Sequence, residues 1–215
     1  MKCLIITYNR LTLPVNLANW VAQRGLEPVF IDNNSNYPPL MEYFHNCPYI
    51  VMHMNKNYGH TVVWNPETTI LQRLGIIGNY IVTDPDLDLT GIPNDFLQVL
   101  EEGLRRYPQY DKCGLSLEIN DLPNQVTIDW ESQFWQKPLD EQYFHANVDT
   151  TFALYKTKYA SLNAIRTNRP YTARHIPWYY DLIDKLPDDE SYYYHTQLEE
   201  IRSHSNILDR KPGRW

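Results

Sequence analysis

Positive charge is in short supply: 19 Lys and Arg face 26 Asp and Glu, for a net charge of −7. Binding a nucleic-acid polymer needs a basic surface that displaces counterions from phosphates, so the balance argues against that class of partner. Cysteine is scarce too. Cys3, Cys47 and Cys113 are odd in number, far apart and in no C-x-x-C arrangement, which argues against a disulfide scaffold or a zinc site and for a reducing, cytoplasmic setting. No apolar run approaches a signal-peptide core or a membrane span; the one before Thr7 is only Leu4 to Ile6. Glycine occurs 8 times in 215 residues, never between Thr7 and Arg10. What abounds is rings, 17 Tyr and 6 Trp, more than a core of this size needs and suited to flat or sugar-like ligands. The length supports one well-filled domain, or one with a small appendage. Most of the acid excess reads as solvated surface, so function turns on whether a few carboxylates are grouped.

The first half alternates strand and helix. Cys3 to Thr7, Pro28 to Ile31, Tyr49 to Met52 and Tyr80 to Val82 read as short buried strands. Thr12 offers an N-cap to a helix ending at Gly25. Thr61 to Leu74 reads as a helix that Pro66 kinks, and Pro93 opens a helix with Phe96, Leu100 and Leu104 on one face. Such alternation predicts right-handed crossovers and a mostly parallel sheet whose ligands sit beyond the strand ends. The residues there, Tyr8 to Arg10, Asp32 to Asn36, Asn55 to His60 and Asp84 to Asp88, are polar and rich in Asn and Asp. The second half predicts a mixed extension, with strands at Leu115 to Leu117, Gln125 to Ile128 and Thr151 to Tyr155 and a helix from Asp188 to Ser203. The basic stretch Arg210 to Trp215 reads as a flexible closing segment or as the cut end of a longer polypeptide.

The strongest chemical signal is Tyr80-Ile-Val-Thr-Asp84-Pro-Asp86-Leu-Asp88. Carboxylates at two-residue spacing on extended backbone point to one side, and grouped carboxylates repel unless a cation lies between them. A hard divalent ion, with a phosphate as co-ligand, satisfies that arrangement. The competing reading is a solvated turn leading into the Pro93 helix.

The set IITYN at the first strand, IDNNS after the second, NKNYG after the third and TDPD after the fourth resembles the nucleotide-binding half of GT-A glycosyltransferases, in particular their family 2-like members. Weaker similarity continues through HANVDTTFALY and RHIPWYY, and the size and DPD form are similar to chlorella-virus glycosyltransferase domains that act on capsid-protein glycans, which would place the chain in a host cytoplasm. The resemblance implies an α/β GT-A fold: a Rossmann-like, mostly parallel central sheet flanked by helices, with a small mixed-sheet acceptor half. It implies one domain over 1–209, with 1–110 binding the nucleotide sugar and 111–209 the acceptor, followed by the tail 210–215. The activity implied is transfer from a UDP-sugar to a hydroxyl of a glycan or glycoprotein, aided by Mn²⁺ or Mg²⁺. Thr7, Tyr8 and Arg10 would line the base and ribose pocket, Asp32 would accept from the uracil N–H, and Asn57 and Gly59 would lie under the nucleotide. Asp84 would sit near the ribose or reach the metal through water, Asp86 would bind the metal directly and Asp88 would be an extra ligand.

An inverting enzyme also needs a carboxylate base opposite the leaving diphosphate. Asp149, in Asn147-Val-Asp-Thr-Thr-Phe, is the first choice, against a plain turn or capping role; Glu118 and Asp121 stand in reserve. His175 is read as a metal or diphosphate contact, with Arg174 beside it meeting phosphate oxygens; His60 and His145 are read as structural. Arg210, Lys211 and Arg214 would fold over the diphosphate or remain solvated. The ring groups Trp130, Phe134, Trp135 and Trp178, Tyr179, Tyr180 would stack on sugars or pack the core. Three rival readings remain. Asp86-Leu-Asp-Leu-Thr90 matches the DxDxT pattern of haloacid-dehalogenase-type phosphatases, but after the wrong strand. A nucleotidyltransferase would carry a glycine-rich loop that Thr7 to Arg10 lacks. A non-catalytic sugar-binding module explains the rings but not the ordered Asp and Asn loops.

Overall fold

Strand β1 (Lys2–Thr7) sends Cys3 and Ile5 to one side of the sheet and Leu4 and Ile6 to the other, and both sides are packed with apolar residues. The alternation of strand side chains therefore builds two cores, which is why the strand has no polar face. The computed structural model describes residues 1–197. In chain order β1 is followed by α1 (Thr12–Ala22), β2 (Glu27–Asp32), α2 (Pro38–His45), β3 (Ile50–His53), α3 (Ile70–Arg73), β4 (Tyr80–Thr83), β5 (Leu87–Asp88) and α4 (Phe96–Arg106). The second half adds β6 (Lys112–Gly114), β7 (Ser116–Leu117), α5 (Gln125–Ser132), β8 (Tyr143–His145), β9 (Ala153–Tyr155), β10 (Ala164–Thr167), β11 (Thr172–His175), a 3₁₀ segment Ile176–Leu182 and α6 (Asp188–Thr196).

Eight strands form one sheet in the order β3-β2-β1-β4-β9-β6-β10-β8. The first four run parallel, as the alternating pattern requires. Beyond β4 the sheet is mixed: β9 runs antiparallel to both β4 and β6, β10 is parallel to β6, and β8 closes the edge antiparallel to β10. A second sheet, β5-β11-β7, ties the segment after β4 to the end of β11. This small sheet brings Asp86, Asp88 and His175 into one region.

Three local expectations are corrected. Gln125 to Ile128 is the start of helix α5, not a strand; the Asn124 side chain accepts from the Val126 N–H at 2.9 Å and caps the turn. Thr61 to Leu74 is not one helix but a 3₁₀ turn, Val62–Trp64, and the short α3, separated where Pro66 removes a donor and Thr69 takes φ 50°. Thr12 is the first helical residue of α1, not its cap; the capping oxygen comes from Asp189, whose Oδ2 accepts from the Leu11 and Thr12 N–H groups at 3.0 and 2.7 Å. The predicted strands otherwise correspond to β1 to β4, β7 and β9 within a residue or two, and Phe96, Leu100 and Leu104 are buried on α4. The expected helix from Asp188 is α6; its continuation beyond 197, with Arg210, Lys211 and Arg214, lies outside the described residues. The three cysteines are unpaired, and among the described residues no helix is long and apolar enough to cross a membrane.

Candidate active site

The loops past β1, β2, β3 and β4 meet at one edge of the sheet. Asn9, with φ 52°, turns the chain after β1; its Oδ1 accepts from the Asn36 and Tyr37 N–H groups at 2.7 and 3.1 Å, joining this loop to the one after β2. Asp32 closes its own turn by accepting from the Ser35 N–H at 3.0 Å, while its other oxygen meets His53 Nδ1 at 2.7 Å. Asn33 then reaches the third loop, donating to the Gly59 carbonyl at 2.9 Å and accepting from the Tyr58 N–H at 2.8 Å. Gly59 has φ 72°, a conformation that favours glycine, and its N–H is held by Asn57 Oδ1 at 2.8 Å. The Asn and Asp residues that mark the sequence thus knit three loops into one surface. Thr7 is fully buried and bonds back to its own strand, and Tyr8 donates to the Thr196 carbonyl at 3.2 Å.

Arg10 turns into the carboxylates. It is 3% exposed and donates through Nη1 to Asp86 Oδ2 at 2.6 Å, while Nε lies 3.0 Å from Glu190 Oε1. His175 Nε2 lies 3.4 Å from the same Asp86 oxygen, with its ring edge-on to Trp178 at 4.7 Å. Burial works against charge on Asp86, yet His175 and Arg10 outweigh it and hold its carboxyl well below the usual carboxylate range. Asp86 Oδ1 and His175 Nδ1 are buried with no hydrogen-bond partner among the described residues.

Asp84 is tied to the loop before β9. Its N–H donates to the Thr150 carbonyl at 2.8 Å, and Thr150 Oγ1 donates to its Oδ1 at 2.5 Å. Burial, then the Asp86 charge, pushes the Asp84 carboxyl up to about 7 despite the Thr150 bond. Asp149, next to Thr150, leaves its side chain 64% exposed, with His60 Nε2 at 3.8 Å from Oδ1. Its backbone is fixed from beneath: the Asp149 carbonyl accepts from Lys112 Nζ at 2.7 Å and from the Tyr155 hydroxyl at 2.9 Å. Lys112 is buried in β6, and burial pushes its ammonium down to about 8.

Some expected residues are not drawn in. Asp88 bends back to its own turn, accepting from the Thr90 N–H at 2.8 Å, and pairs in register with Arg174. Arg174 is bound by Asp121, whose Oδ2 accepts from Nε at 2.8 Å. Glu118 is engaged by Arg169 and by the Ile119 and Asn120 N–H groups, which against its burial hold it down at about 2. Among the described residues no three His, Cys, Asp or Glu side chains converge as a ready-made metal site. Asp86 and His175 nevertheless suit a hard cation that takes its remaining ligands from diphosphate and water, since Oδ1 is a buried oxygen without a partner. Of the rings, Trp178 is buried packing, Phe134 lies 4.2 Å beneath the Arg166 guanidinium, and Trp130 is 60% exposed.

No protein-family model and no curated protein matches the sequence. Among solved structures, the mannosyltransferase PcManGT from Pyrobaculum calidifontis, determined in complex with GDP-Man and Mn²⁺, matches with a TM-score of 0.51 at 12% identity, over 98% of this chain and 64% of its own. The chain shares a glycosyltransferase fold. It spans about two thirds of the mannosyltransferase's length, 64%. TarS 1–349 of S. aureus matches with a TM-score of 0.45 at 11% identity, over 96% of this chain and 70% of that one.

Within this glycosyltransferase fold, several site residues carried no readable signal. Glu190 and Asp189 sit in an ordinary acidic first turn of α6, 178 positions from the loop that Asp189 caps. Lys112 and Arg166 offered a faint one, single cations inside apolar strands. Arg166 is buried, paired with Glu131, and donates through Nε to the Asn147 carbonyl at 2.7 Å, bracing the loop that leads to Asp149.

Proposed function

We propose that the protein is a glycosyltransferase that moves a sugar from a nucleoside-diphosphate sugar, with UDP the favoured nucleotide, to a hydroxyl of a glycan or glycoprotein acceptor. The observation that carries this reading is Asp86: a buried carboxylate with one oxygen clamped and the other unpartnered, beside His175 and at the strand-end edge of the sheet. The fold shared with a mannosyltransferase supports it. The nucleotide would lie over the knitted loops of Tyr8, Asp32, Asn57 and Gly59, with residues 1–110 forming the donor half and 111–209 the acceptor half of one domain.

In the transfer, the acceptor oxygen forms a bond to the anomeric carbon as the bond from that carbon to the diphosphate oxygen breaks, and the electron pair leaves with the diphosphate. Asp149 takes the hydroxyl proton on the face opposite the leaving group, so configuration inverts. Its exposed side chain meets the acceptor from solvent, while Lys112 and Tyr155 hold its backbone still. Asp86 and His175 would hold Mn²⁺ or Mg²⁺, which supplies positive charge where the diphosphate develops negative charge. Asp84, bonded to Thr150, keeps the donor-side turn in register with the Asp149 loop. The test is thermal denaturation with UDP or GDP, each with and without Mn²⁺, followed by metal-dependent hydrolysis of a panel of nucleotide sugars. A rise in Tm with nucleotide plus Mn²⁺ that Asp86→Ala abolishes is expected; no rise with either nucleotide overturns the reading.

A further inference from the structure

Arg10 is enclosed on four sides. Beyond Asp86 and Glu190, its Nη2 donates to the Tyr194 hydroxyl at 3.2 Å and its guanidinium carbon lies 3.7 Å from the centre of the Tyr193 ring. Three of these four partners belong to α6. The helix is independently fastened: Asp189 caps α1, Tyr192 donates to Asn36 Oδ1 at 3.2 Å and lies 4.8 Å from Tyr37, and Thr196 Oγ1 accepts from Asn9 Nδ2 at 3.0 Å. Glu190 is therefore held where it is by its neighbours and not by Arg10 alone.

The charges show what Glu190 adds. Arg10 and Asp86 by themselves sum to zero, which leaves the Asp86 carboxylate little attraction for a cation. Glu190, 1% exposed, adds a second carboxylate that brings the formal charge of the group to one negative unit; it lies 3.0 Å from Arg10 Nε, on the side of the guanidinium away from the Nη1 that holds Asp86 Oδ2, and Asp86 Oδ1 has no hydrogen-bond partner among the described residues. We infer that Glu190 is a positioning residue of the cation site, acting through Arg10 to orient Asp86 and to maintain the negative charge that draws Mn²⁺ or Mg²⁺ there. The inference rests on the reading of Asp86 as a cation-binding carboxylate.

The test is titration of the full chain with Mn²⁺, without nucleotide, reading free Mn²⁺ by electron paramagnetic resonance, with circular dichroism as a check on folding. Glu190→Gln is expected to weaken Mn²⁺ binding ten- to a hundredfold, the usual effect of removing a group that supports a metal-ligating carboxylate. Glu190→Asp, which keeps the charge, recovers most of the affinity. Asp189→Asn, which loosens α6 while leaving Arg10, Asp86 and Glu190 themselves in place, changes it less than about threefold, well short of the loss on removing a supporting group. In an Asp86→Asn background, Glu190→Gln has no further effect. Unchanged affinity in Glu190→Gln, or an equal loss in Asp189→Asn, overturns the role of Glu190. A wild-type protein that takes up no Mn²⁺ overturns the cation reading itself and this inference with it. Should Glu190→Gln fail to fold, Arg10→Lys is read in its place: a lysine cannot span both carboxylates, so the same loss is expected and unchanged affinity overturns the inference.

Discussion

Thr150 grips Asp84 at two points, its carbonyl accepting the Asp84 N–H at 2.8 Å and its hydroxyl donating to the carboxyl at 2.5 Å. Two loops far apart in sequence, one after β4 and one before β9, are thereby tied together. Thr150→Val keeps the shape and removes the hydroxyl. Leaving the partly buried Asp84 oxygen without its donor costs about 1 kcal/mol, read as a lower denaturant midpoint. Transfer is expected to fall more than UDP binding does.

Asp149→Asn retains UDP and Mn²⁺ binding by calorimetry and loses about 10²–10⁴-fold in transfer rate, the range for a positioned general base. Transfer at the wild-type rate would reject the role.

Lys112→Met fills a similar space but removes one of the two donors to the Asp149 carbonyl and the ammonium that donates to the Tyr155 hydroxyl. Nucleotide affinity stays the same while kcat drops about ten- to a hundredfold, because the carboxylate is no longer held to within an ångström. A parallel loss of nucleotide binding would show that Lys112 supports the whole sheet edge instead.

Asp84 sets a pH dependence for the metal-free protein. Its folded carboxyl titrates at about 7 and the unfolded one at 3.8, so the folded state keeps a proton that the unfolded state gives up. Stability from this group is complete below the unfolded value and is lost as pH rises through about 7. In EDTA, the Tm of wild type relative to Asp84→Asn should fall across that window; a constant difference would contradict it.

Gly103 lies in α4 where a Cβ would come within 2.8 Å of Tyr143 and 2.9 Å of Cys113. Gly103→Ala gains about 1 kcal/mol of helix propensity but forces the core apart at about 1–3 kcal/mol. Net destabilisation in urea is expected.

The first four strands were legible because each is a short apolar run followed within two residues by Asn or Asp, and in β1, β2 and β4 burial on both faces leaves no other pattern available. Asp86 was legible for the same reason: it follows one of those runs. Arg10 was placed on the correct loop, but its direction depends on Glu190, Tyr193 and Tyr194, which no local pattern connects to it. The equal spacing of Asp84, Asp86 and Asp88 suggested one shared face. Thr150 binds the first, whose carboxyl still feels the Asp86 charge, and the Thr90 turn occupies the last. At Gln125 to Ile128, β-branched residues favoured a strand locally, and the Asn124 cap decided for helix. The strands β5, β6, β8, β10 and β11 carry no readable pattern because each has only two to four residues and is set by tertiary pairing.

The bond from Asp189 to the Leu11 and Thr12 N–H groups has a consequence for the order of assembly. Synthesis runs from the N-terminus, so β1, α1, Arg10 and Asp86 are made before Asp189 and Glu190, the residues of α6 that cap α1 and engage Arg10. The corner around Asp86 is then among the last parts of the described chain to be completed, and a nascent chain halted before α6 lacks both the α1 cap and Glu190.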